Sequence, residues 1–133
     1  MTDAEFEGLK SKLMALDEMW CEALGLRWWT LGYVYDRQGK KPSSGTFSEV
    51  ARCDVKWWRK VAVITFDMPA LLESPDDELE KVFVHELMHI FLHEARELDN
   101  GDSSVFKHEE RVATDLTSAF LWLKESLTKD KEA

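Results

Sequence analysis

The sequence predicts a single α+β domain made of an N-terminal helix, a small three-stranded sheet, a buried central helix and a C-terminal helix. Three observations carry this reading. Apolar residues recur at three- and four-residue spacing toward both ends of the chain, as amphipathic helices require. Between residues 28 and 66 the composition turns aromatic and β-branched with a two-residue alternation, as strands require. A length of 133 residues leaves room for one core and no second, so residues 1–133 form one domain.

The first stripe, Phe6, Leu9, Leu13, Leu16, Trp20 and Ala23, places a helix over about Thr2–Leu24, which Gly25 ends. Trp29, Leu31, Tyr33 and Tyr35 then share one face of a strand, and the polar stretch 36–45 is a loop rich in turn residues. Phe47, Ala51, Cys53, Val55 and Trp57 share a face of the next strand, up to a turn near Trp58-Arg59-Lys60. Val61–Phe66 is apolar on both faces and belongs inside the sheet, where it or its neighbour offers an edge to an extended peptide. Pro69 and Pro75 bracket a connector. Ser74 or Asp76 is suited to cap the helix that follows, and Asp77, Glu78 and Glu80 suit its positive end. That helix, about Pro75–Glu97, is apolar nearly all round and is therefore central. Residues 99–102 break it, and a last helix over about Ser103–Leu127 carries the stripe Val112, Ala113, Leu116, Phe120, Leu123 and Leu127 before a frayed tail at 128–133.

Composition excludes several classes of function. The longest apolar runs, 61–66 and 87–92, fall far short of the roughly 18 residues of a bilayer-spanning helix, so no membrane span is expected. With 17 Lys+Arg against 26 Asp+Glu the net charge is −9, which repels nucleic acid and anionic membranes. The basic residues Arg37, Lys40, Lys41, Arg52, Lys56, Arg59 and Lys60 make residues 36–60 the exception, read first as solvated faces and second as a ligand-facing rim. An acidic start without a basic, apolar leader, together with two cysteines (Cys21 and Cys53) that lack metal-ligand spacing, points to a cytoplasmic protein with buried thiols.

The chemistry lies in His85-Glu86-Leu87-Met88-His89. On a helix this spacing sets two imidazoles one turn apart on one face, within reach of a single Zn²⁺, with a carboxylate beside the open coordination position. A carboxylate there can act as general base toward water activated by the ion. The desolvation of two imidazoles and a carboxylate on an apolar helix argues that something binds them. A third ligand is available in His108-Glu109-Glu110. The phase of Ala113, Leu116, Phe120 and Leu123 extrapolates to Glu109, ahead of Glu110 and His108. His93 continues the series, but at 1.5 Å per residue it stands about 12 Å along the axis from His85, too far to share one ion. Tyr33 and Tyr35 are candidate oxyanion donors, and the six tryptophans are read mainly as core.

His85, Glu86 and His89 followed by the pair Glu109-Glu110 resemble the zincin metallopeptidases, in the gluzincin arrangement where a Glu on a downstream helix completes H-E-x-x-H. Over about residues 28–125 the order of elements is similar to that of compact intracellular ImmA/IrrE-type peptidases and small phage-encoded zincin-like proteins. The resemblance implies a minimal zincin-like domain in which His85, His89 and Glu109 bind Zn²⁺ and Glu86 is the general base, hydrolysing a peptide bond in an intracellular protein or peptide. The metzincin continuation after His89 is missing. The acid that thermolysin-type enzymes carry four residues after the ligand Glu is also missing, since Ala113 and Thr114 stand there. The alternative on the same scaffold is an inactive zinc-binding or protein-interaction module.

Overall fold

The computed structural model describes residues 1–39, 50–98 and 103–132. Four helices and a three-stranded sheet follow in the order α1 (Asp3–Ala23), β1 (Thr30–Asp36), β2 (Ala51–Lys56), β3 (Val61–Asp67), α2 (Met68–Leu71), α3 (Asp76–Glu97) and α4 (Ser103–Glu132), with single 3-10 turns at Leu26–Trp28 and Trp57–Arg59. The mixed α+β class is as the sequence predicts. Phe47, Lys40, Lys41 and the break at 99–102 lie outside the described residues.

Thr2 and Glu5 start α1 with a capping box. The Thr2 hydroxyl accepts from the Glu5 amide at 3.1 Å, and the Glu5 carboxylate accepts from the Thr2 amide at 2.9 Å. Gly25 ends the element in the left-handed region, φ 72°, which a β-carbon would strain. Leu9, Leu13, Trp20 and Cys21 are the residues α1 buries, and both cysteines are free thiols.

The sheet has the order β1-β3-β2, with β1 parallel and β2 antiparallel to β3. The apolar run is thus the central strand, and of the two alternatives it is its neighbours that offer a free edge. Pairing Tyr33 and Cys53 with Ile64 puts Leu31, Tyr33, Tyr35, Ala51 and Val55 on the same side as Ala62, Ile64 and Phe66. That side meets the helices, and Phe83 of α3 stacks on Phe66 with ring centroids 6.0 Å apart. Val61, Val63 and Thr65 on the other side are only half-buried, so the run is not covered on both faces as its composition suggests.

Asp67 caps α2, its carboxylate accepting from the Ala70 amide at 3.1 Å. Four residues are too few to show a period, so the sequence predicts only a connector here. The Pro75 carbonyl takes the first helical bond of α3 from the Leu79 amide, so the cap falls on Pro75, between the two positions expected. Leu79, Phe83, Val84, Leu87, Met88 and Ile90 are buried, making α3 the central helix.

At 1.5 Å per residue α4 is about 45 Å long, and it runs to Glu132 where a frayed tail from 128 was expected. Local bonds hold those last turns. Thr128 donates back to the Lys124 carbonyl at 2.9 Å, and Lys129 pairs with Glu125 one turn away at 3.3 Å. The core stripe fades along the way: Ala113 is buried, Leu116 and Phe120 are half-buried, and Leu123 and Leu127 are 46% and 62% exposed. Lys124 lies opposite Glu80, in the second turn of α3, so the turns beyond it outrun the helix they would pack on. No helix among the described residues is long and apolar enough to cross a membrane. The basic stretch is partly neutralised at its surface, Arg37 by Asp3 at 2.5 Å and Arg52 by Asp54 at 3.1 Å.

Candidate metal centre

Three side chains converge where α4 packs antiparallel on α3. The Nε2 atoms of His85 and His89 lie 3.2 Å apart, with the rings edge to face at 76°. Glu110 of α4 sets one carboxylate oxygen 2.9 Å from His89 Nε2 and the other 3.4 Å from His85 Nε2. The three residues can each present a ligand atom with all three atoms inside 4.8 Å of one another. Ligand atoms about 2.0–2.1 Å from a tetrahedral zinc stand roughly 3.3 Å from each other, so two imidazole nitrogens and a carboxylate oxygen in this arrangement fit one small divalent cation.

Glu109 takes a different place from the one expected. Its carboxylate is 2.6 Å from His89 Nδ1, on the side of the ring away from the cluster, and its side chain is 3% exposed against 43% for Glu110. The helix phase is right about direction: Glu109, Ala113 and Thr117 form the buried line of α4. That line points behind His89, however, whereas a ligand must face the cleft into which the Nε2 atoms open. The cleft lies on the flank of the line, about 100° round the helix, and Glu110 occupies it. His108 is exposed and stands outside the cluster.

Burial holds the His85 imidazole below its ordinary pKa, and the neighbouring His89 adds to this, while Glu110 opposes it. The ring therefore stays neutral with a lone pair to offer. Beside it opens a cavity of about 330 Å³ walled by Val50 and Ala51 at the start of β2, Val82 and the buried Glu86 of α3, and Thr114 and Thr117 of α4. Glu86 thus reaches the same space as His85 and Glu110. Lys81, one turn before His85, stands on the rim. The i−4 spacing of Lys81 from His85 is visible in the sequence, whereas the β2 and α4 walls are brought in only by the packing of the helices.

The other candidates lie elsewhere. His93 is buried with its Nε2 3.2 Å from Glu97, whose other oxygen accepts from the Trp57 indole at 2.7 Å, tying the end of α3 to the turn after β2. Neither Tyr33 nor Tyr35 lines the cavity. Tyr33 donates its hydroxyl to Asp17 of α1, and burial, reinforced by Asp17, raises its pKa, which corrects its reading as an oxyanion donor. Of the adjacent tryptophans, Trp29 and Trp57 pack on the core, and Trp28 and Trp58 face solvent. Searches against family models, curated proteins and solved structures return no match to this chain, so its site is read from its own geometry.

Proposed function

We propose that the chain is a single-domain zinc metallopeptidase of the gluzincin kind, acting on an intracellular protein or peptide, with His85, His89 and Glu110 as metal ligands and Glu86 as general base. The observation that carries this reading is the convergence of two Nε2 atoms and a Glu110 oxygen beside a cavity that Glu86 also lines. Zinc held there would supply Lewis-acid polarisation of a substrate carbonyl and of water. Glu86, almost wholly buried one residue from His85, takes a proton from water in the cavity and returns it to the leaving amine. His85 and His89 would offer their Nε2 lone pairs to the ion, and Glu110 would reduce its charge. Val50 and Ala51 bring the start of β2 to the cavity, and β2 is an edge strand, so an extended peptide can align along its main chain.

The test is metal content by elemental analysis together with peptide hydrolysis, compared between the wild type and Glu86→Gln. One zinc per chain is expected in both, with hydrolysis falling by about 100-fold or more in the variant, the usual loss when a general base is removed. A wild type that holds zinc but cuts no peptide in a broad library would leave the inactive binding module as the function. A wild type that holds no metal refutes the centre itself.

A further inference from the structure

We infer that Glu109 is a positioning residue that selects the tautomer and fixes the ring of His89, so that α4 grips one imidazole by both nitrogens through two consecutive glutamates. Successive residues on a helix diverge by about 100° and normally serve different surroundings. Here His89 lies between them: Glu109 meets Nδ1 at 2.6 Å and Glu110 meets Nε2 at 2.9 Å. A carboxylate accepts and does not donate, so each contact favours a proton on its own nitrogen; the Glu109 contact is the shorter and the more buried of the two, which places a single proton on Nδ1 and leaves the lone pair on Nε2, aimed at the cluster. Glu109 is buried along with His89, so this bond is little weakened by competition from water. The arrangement also explains why both acids are needed at adjacent positions: the buried phase of α4 supplies the orienting group and the flanking phase supplies the ligand.

The inference rests on the metal-centre reading for its purpose but is testable without it. In metal-free protein at alkaline pH, ring nitrogen NMR of His89 is expected to report the Nδ1–H tautomer. Glu109→Gln retains that tautomer, because the amide oxygen still accepts, whereas Glu109→Ala yields a mixture. Glu110→Ala, which removes the ligand, leaves the tautomer unchanged. In competition with a chelator, zinc affinity is expected to fall about 10-fold in Glu109→Gln and up to about 100-fold in Glu109→Ala, the range for groups that orient a metal-ligating histidine. A group that merely fastened the two helices would lower stability without moving the tautomer. An Nε2–H ring in the wild type, or wild-type tautomer and zinc affinity in a folded Glu109→Ala, overturns the inference. Absence of zinc binding in every chain, with the tautomer shifts as stated, would refute the metal centre and leave the role of Glu109 toward His89 standing.

Discussion

Ala113 offers a way to strain the proposed centre without touching a ligand. It is fully buried, one turn beyond Glu109 on the line of α4 that packs on α3. Small residues at a helix crossing set how closely the axes approach, within a range of about 8–10 Å. Ala113→Leu adds an isopropyl group with no space to receive it, a kind of overpacking that costs about 1–3 kcal/mol. For a domain of this size that is a fall of roughly 3–12 °C in the melting temperature measured with a chelator present. If α4 lifts from α3 to relieve the clash, Glu110 moves away from His85 and His89. An ion can draw the helix back only against the same strain, so zinc affinity is expected to fall by about 5–150-fold, the equivalent of 1–3 kcal/mol. Ala119→Leu, at an exposed position on the same helix, should change neither quantity. The assays are thermal unfolding of the metal-free protein and chelator competition for zinc. A chain carrying Ala113→Leu that melts early yet binds zinc as tightly as the wild type would refute a centre shared between the two helices.

Two further outcomes follow from the titrating groups. The Cys21 thiol is buried, and burial, reinforced by Asp17, pushes its pKa up to about 12. At pH 8 it should therefore resist alkylation in the folded protein, reacting after Cys53 and only on unfolding; mass spectrometry showing Cys21 labelled as fast in buffer as in urea would contradict this. The folded-state pKa of His85 lies below its unfolded value, so the unfolded chain binds the extra proton first. The stability of the metal-free protein should then fall as pH drops below about 6.5. His85→Asn should flatten that fall in urea titrations, and an unchanged slope would show that burial of the ring is not what opposes its charging.

Much of this architecture can be read directly from the chain. The α1 and α3 boundaries follow from sustained 3.6-residue patterns and from Gly25, and the central place of β3 follows from its unbroken apolar run. The features that escaped are those a period cannot encode. The turn at Met68–Leu71 is too short, and the last turns of α4 are held by local polar bonds and carry no buried stripe. For the candidate centre, His85, Glu86 and His89 are evident as a motif, because their geometry lies within one helix. The choice between Glu109 and Glu110 is not, because it depends on which nitrogen of His89 faces the cleft, and that is decided by how α4 lies across α3. The role of Tyr33 is hidden in the sequence for a related reason: its partner, Asp17, lies on another element sixteen residues away.

Glu80 accepts from the Trp20 indole at 2.9 Å and from the Lys124 ammonium at 2.6 Å, so one carboxylate joins three helices. The stretch that looks most dispensable, the charged end of the polypeptide, therefore contains a keystone. Shortening the chain before residue 124 would remove the only cation paired with that acid among the described residues and loosen the junction that seats α3, and with it the histidines, between its neighbours. Expression designs that trim this end for solubility would disturb the fold at a point remote from the cut.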